Sequence, residues 1–116
     1  MASEPGGVVF LPFPYRDRLA ESVRPAVIVS RADFNQRGDL IVAAVTTHAP
    51  RLPTDVELQD WKLANLAKPS TVRMLIATVA ESRIVHHVGR LTDRDWAAVQ
   101  LQLANAIEIT SSRFSQ

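Results

Sequence analysis

Hydrophobic and polar positions fall along this chain in short blocks, with no helical period until its last quarter. Gly7 to Phe13, GVVFLPF, is an apolar run closed by Pro12 and Pro14, which predicts a strand. The polar, mixed-charge PYRDRLAESV after it predicts an exposed loop. Pro25 to Ser30 predicts a second strand, since proline is tolerated at a first strand position. RADFNQRGD, with Asn35 and Gly38, reads as a turn. Leu40 to Thr46 is continuously apolar and predicts a third strand buried on both faces. HAPRLP breaks that run with two prolines. TDVEL alternates, placing Val56 and Leu58 on one face, and QDWKLANLAKPS reads as a connector with a helical turn. Thr71 to Ala77 (TVRMLIA) predicts another strand, and IVHHVGRL a further one after the turn near AESR.

The period then changes. Thr92 stands where an N-cap belongs, with Asp93 and Asp95 in the first turn, where carboxylates favour the helix dipole. Trp96, Val99, Leu103, Ala106 and Ile107 follow at helical spacing, predicting one amphipathic helix of about four turns. Short strands followed by one helix give a mainly β (α+β) single domain over residues 1–116: a strongly bent sheet or small barrel of five to seven strands. Helices do not alternate with strands, so a doubly wound sheet is not expected. No glycine-rich phosphate loop or dinucleotide fingerprint is present.

Composition narrows the chemistry. The 116 residues are 47% hydrophobic and 22% charged, an ordinary globular balance for one core. The absence of cysteine excludes disulfides, thiol nucleophiles and zinc–thiolate sites, and suits a reducing cytoplasm. The first residues carry Glu4 and no positive n-region, and no apolar run reaches membrane-spanning length, so a cytoplasmic protein without a membrane partner is expected. A net charge of +1 is too small to attract polyanions globally, so any nucleic acid must meet a local patch. Of the 13 cationic residues only Lys62 and Lys68 are lysine. Arginine's planar fork suits bidentate phosphate contacts, although codon bias gives the same composition.

Several residues admit a chemical and a structural reading. Arg24, stiffened by Pro25, is either a phosphate-gripping cation or a surface arginine whose stem shields the barrel end. Thr46 and Thr47 end the third strand; either a hydroxyl donates to a phosphoryl oxygen, or threonine is there for its strand propensity. Alternation lets at most one of the two look into a given cleft. His48, just beyond, suits a general base or a stacking platform. His86 and His87 are adjacent in a strand and face apart, so they make no metal pair, and no metal or other cofactor is expected. Arg73 inside TVRMLI either faces outward at a sheet edge or is a second cation aimed at the site of Arg24. Trp61 and Trp96 read as core anchors. Tyr15 is the better stacking candidate, and Arg16 and Arg18 beside it form the most basic short segment, tempered by Asp17 and Glu21.

Taken together, GGVVFLPFPY, RPAVIVS, GDLIVAAVTT, DVEL followed by DWK, KPSTVR and HHVGRLT resemble the PemK/MazF-like toxins of bacterial type II toxin–antitoxin systems, in order and spacing from about Gly7 to Ile107. The resemblance implies a small SH3-like barrel with a terminal helix, acting as a homodimer. It implies a metal-independent, sequence-specific endoribonuclease that cuts single-stranded mRNA and arrests growth. It also implies a cognate antitoxin that lays a largely disordered tail across the RNA groove. The family's active-site arginine falls on Arg24, its strand-end threonine on Thr46, and the arginine of its VR strand on Arg73. Tyr15, Arg16, Arg18, Thr47 and His48 are then the expected RNA contacts. Where the family usually carries an acid in strand one this chain has Gly7, and a subset's Asp two places after the VR arginine is Leu75. The general base is therefore left open.

Two other functions are compatible with such a barrel. One is a non-catalytic growth inhibitor like the CcdB gyrase poisons, which would not need an arginine and a threonine at facing strand ends. The other is an inactive binding homologue or a plain SH3-like module, whose peptide groove calls for clustered aromatics; only 6% of this chain is aromatic.

Overall fold

The computed structural model describes residues 3–15 and 22–108. Six strands form one antiparallel sheet: β1 (Gly7–Pro12), β2 (Val23–Ile28), β3 (Asp39–Thr46), β4 (Val56–Glu57), β5 (Thr71–Ala80) and β6 (His86–Arg90), in the order β4-β5-β3-β2-β1-β6. A single helical turn, α1 (Ala32–Asn35), lies between β2 and β3, and α2 (Asp93–Ala106) closes the described chain. The mainly β fold with a C-terminal helix is the one the blocks of sequence predict. None of the described helices is long and apolar enough to cross a membrane.

Strand alternation divides the apolar residues between two clusters. Val8, Val27, Ala43, Val45 and Val72 point to one face, where they meet Val99 of α2 and the half-buried Trp61 and Trp96. Val9, Leu11, Ala26, Ile28, Leu40, Val42 and Ala44 point to the other, which the far half of β5 covers with Ala77 and Val79. β3 is thus covered on both faces, as its unbroken apolar run implies. Both tryptophans act as core anchors.

Five expectations are corrected. RADFNQRGD holds the turn of α1, stabilised by a buried polar knot in which Asn35 accepts from the Ser30 hydroxyl and donates to the Ser3 and Ser30 carbonyls. β2 starts at Val23, so Arg24 and Pro25 lie inside it rather than at its lip. β5 runs on to Ala80, pairing Thr78, Val79 and Ala80 with Ile41, Leu40 and Asp39 of β3. Thr92 occupies the N-cap position of α2 but its side chain makes no cap bond; its hydroxyl donates to Asp60 at 2.6 Å. At the other end of α2, Ala106 and Ile107 are exposed, so the buried stripe stops at Leu103.

The connector 59–66 is fastened at both ends. The buried Asp95 carboxylate accepts the backbone N–H groups of Gln59 at 3.0 Å and Asp60 at 2.8 Å. Asp60 in turn takes a two-pronged contact from Arg94, both bonds at 2.7 Å. The Arg94 guanidinium first, and the Thr92 hydroxyl second, hold the Asp60 carboxyl down at about 2. At the far end, the Asn65 side chain donates to the Val88 carbonyl, and the Ala64 carbonyl passes so close to Gly89 that an added Cβ would lie 2.5 Å from it.

Two predictions follow from these fastenings. Gly89→Ala drives a methyl into backbone that cannot swing aside, and should cost about 1–3 kcal/mol in urea unfolding. A folded-state pKa below the ordinary value means that the Asp60–Arg94 pair contributes fully above about pH 4 and is lost as pH falls toward 2. An NMR titration should show Asp60 ionising near 2, moving up toward the ordinary carboxylate range near 4 in Arg94→Ala.

Candidate functional site: a cationic cleft between splayed strands

Proline placement explains why β2 and β3 part. The Val29 N–H donates to the Ile41 carbonyl, so residues two and four positions earlier, Val27 and Pro25, also direct their backbone toward β3. Pro25 has no N–H to give. The β2–β3 ladder accordingly ends at Ala26↔Ala44, whereas β2 stays paired with β1 through Phe10↔Pro25, Leu11↔Arg24 and Pro12↔Val23. Arg24 and Thr46 each lie two residues past that last pair, on the face shared by Ala26 and Ala44. Between the parted strands opens a cleft of about 280 Å³ bordered by Tyr15, Arg24, Thr46, Thr47, His48 and Arg73, with Pro25, Ala44, Ser70 and Leu75 among its other lining residues.

An irregularity on the opposite wall brings in the second arginine. β3 and β5 pair at Ala43↔Ile76 and resume at Val45↔Val72, so Ala44 alone faces Arg73, Met74 and Leu75. Such a bulge bends the strand and re-aims its side chains. Met74 turns to the helix-side core, while Arg73 and Leu75 border the cleft. β4 pairs only with Thr71 and Val72, so Arg73 lies one residue past that ladder, on the part of β5 whose outer side has no strand partner among the described residues.

Thr46 is held ready to donate. Its Oγ1 accepts the His48 backbone N–H at 3.2 Å, which fixes the side chain and leaves the hydroxyl proton for another acceptor. β3 stops at Thr46, so strand alternation does not extend to Thr47. Both threonines border the cleft, contrary to the expectation that only one would. Tyr15 leans on Phe13, ring centroids 4.7 Å apart and tilted by 45°, with one side toward the cleft. His86 and His87 are remote from it on β6. Arg16 and Arg18, expected to touch RNA, lie outside the described residues. No acidic residue is among the described residues bordering the cleft, so its character is cationic. Among the described residues no group of three or more His, Asp or Glu gathers as a metal ligand set.

Residues 4–107 match the model of the PemK-like, MazF-like toxins of type II toxin–antitoxin systems. The chain belongs to that family. Solved structures share the fold of this MazF-like toxin at low identity. An endoribonuclease in complex with its cognate antitoxin, from a mycobacterial species, is 21% identical, with a TM-score of 0.78 covering 94% of this chain and 98% of that one. MazF of Deinococcus radiodurans is 23% identical, with a TM-score of 0.75 over 94% and 99% of the two chains. The Mycobacterium tuberculosis toxin MazF-mt6 is 20% identical, at 0.73 over 90% and 98%. No curated protein matches the sequence.

Sequence reasoning about this MazF-like toxin gave no role to Ser70 in the cleft wall or to Asp55 behind it, and noted Leu75 only as the position of a subset's acid. Ser70, buried and donating to the Lys68 carbonyl at 2.8 Å, forms part of its wall. Leu75 supplies an apolar border. Asp55, behind the wall, faces Arg73; the period-2 pattern of TDVEL was a signal for it, since a residue before Val56 must look away from the core.

Proposed function

We propose that this toxin is a sequence-specific, metal-independent endoribonuclease that cuts single-stranded mRNA. The observation carrying this reading is the convergence of Arg24, Thr46 and Arg73, from three separate strands, on one open cleft whose described lining holds no acid. RNA brings its own nucleophile, the 2′-hydroxyl. When that oxygen attacks the adjacent phosphorus, negative charge grows on the non-bridging oxygens and the bond to the 5′-oxygen breaks. Cleavage then depends on orientation and charge stabilisation, which fixed cations and hydroxyl donors supply.

In this reading the Arg24 guanidinium forks onto the phosphate and the Thr46 hydroxyl donates to a non-bridging oxygen. Arg73 offsets charge on the departing 5′-oxygen, which takes its proton from water. His48, exposed at the mouth of the cleft, accepts the 2′-hydroxyl proton. The products are a 2′,3′-cyclic phosphate and a 5′-hydroxyl. Tyr15, Arg16, Arg18 and Thr47 hold the flanking nucleotides, by stacking and by phosphate contact. A cognate antitoxin neutralises the toxin by covering the cleft, and the working form is a homodimer. An endoribonuclease of the same fold solved in complex with its cognate antitoxin supports an antitoxin partner.

Purified toxin incubated with labelled mRNA in EDTA should give discrete, chelator-resistant cuts. Arg24→Ala and Thr46→Ala should each slow cutting by on the order of 10²–10³ and relieve growth arrest, with unchanged thermal melting. Cutting by Arg24→Ala at the wild-type rate would refute the assignment. Intact RNA together with retained growth arrest would point to a non-cleaving poison.

A further inference from the structure

The ladder between β4 and β5 pairs Glu57 with Thr71 and Val56 with Val72. One further step sets Asp55 directly across from Arg73, on the face opposite the buried valines. That is the arrangement in which opposite charges on neighbouring strands interact. Asp55 is almost wholly enclosed, its side chain 1% exposed, against 30% for Arg73.

The two oxygens of Asp55 have different work. Oδ2 accepts the backbone N–H groups of Arg51 at 2.8 Å and Leu52 at 3.0 Å, closing the turn before β4. Oδ1 takes no hydrogen bond and stands 3.7 Å from Nε of Arg73, which is itself buried with no hydrogen-bond partner. A buried carboxylate oxygen and a buried guanidinium nitrogen, each otherwise unpartnered, constrain one another electrostatically. The contact lies on the stem side of the guanidinium, at Nε. It leaves the two terminal nitrogens, with their four N–H bonds, for an anion on the cleft side.

We infer that Asp55 is the positioning residue for Arg73: the turn it closes fixes the carboxylate, and the carboxylate aims the guanidinium at the scissile phosphate. Asp55 is not a catalytic residue, for it does not border the cleft. Its negative charge opposes RNA binding slightly, so its benefit is confined to the rate of the chemical step. This rests on the phosphate role proposed above for Arg73.

Asp55→Asn separates the two functions, because the amide oxygen still accepts the Arg51 and Leu52 N–H groups while the amide nitrogen has no charge to offer Nε. The variant is assayed in EDTA by single-turnover cutting of an oligoribonucleotide carrying one mapped site. Affinity is measured with the same oligonucleotide bearing a 2′-deoxy residue at the cut, which binds but has no nucleophile. Cutting should slow about 10–100-fold, the effect of a group misplaced by about an ångström. Affinity should be unchanged or tighter, since an anion near the phosphate has gone. Arg73→Ala should also slow cutting, and Asp55→Asn added to Arg73→Ala should slow it no further. Asp55→Asn cutting at the wild-type rate while Arg73→Ala is slow would overturn the positioning role and leave the reading of Arg73 intact. Equal slowing by Asp55→Asn with and without Arg73 would do the same, marking Asp55 as a purely structural residue whatever its melting temperature. Wild-type cutting by Arg73→Ala would remove the phosphate role of Arg73 and the positioning role together.

Discussion

A hydrogen bond that Pro25 cannot donate determines the shape of the cleft. With a donor at that position β2 and β3 would pair two residues further, and Arg24 and Thr46 would become cross-strand neighbours with Cβ atoms about 5 Å apart. The space between them would then be filled by their own side chains. A ladder bond forgone is worth only about 0.5–1.5 kcal/mol. Enclosing even one side chain such as Leu11 or Ile28 stabilises the fold by about 1.5–3 kcal/mol. The sheet therefore tolerates an opening at one end because its middle is sealed on both faces.

Charge follows the same division between frame and opening. Acidic groups are used to fasten the frame: Asp95 and Asp60 hold the connector against α2, and Asp55 closes a turn behind the cleft wall. Cations are presented to the cleft, whose described lining holds no carboxylate; the one that faces Arg73, Asp55, stands behind the wall. A chain whose net charge is +1 thereby concentrates positive potential at one place.

Much of this was legible in the sequence, for definable reasons. Unbroken apolar runs such as Leu40 to Thr46 and the change to helical spacing after Thr92 are direct imprints of two-sided burial and of a helix stripe. Thr46 and Arg73 end or interrupt an apolar strand and Arg24 precedes one, a pattern that left a structural reading open for each until the family resemblance gave it a role. What the sequence could not carry was the relation between strands. The bulge opposite Ala44 that turns Arg73 inward is a register property. So is the placing of Asp55 across from Arg73, and so is the escape of Thr47 from alternation. The capping error at Thr92 has another origin: a hydroxyl that fits the N-cap pattern found a stronger, charged acceptor in Asp60, 32 residues away.

Residues 47–53, between β3 and Asp55, are exposed at every position, and the turn at their end is gathered by Asp55 alone among the bonds described above. They contribute to neither apolar cluster. Sequence change in that rim alters what the mouth of the cleft touches while both cores keep their packing. On the ribonuclease reading proposed above, the fold would act as a fixed blade with an exchangeable guide, in which a new cutting preference requires no new fold.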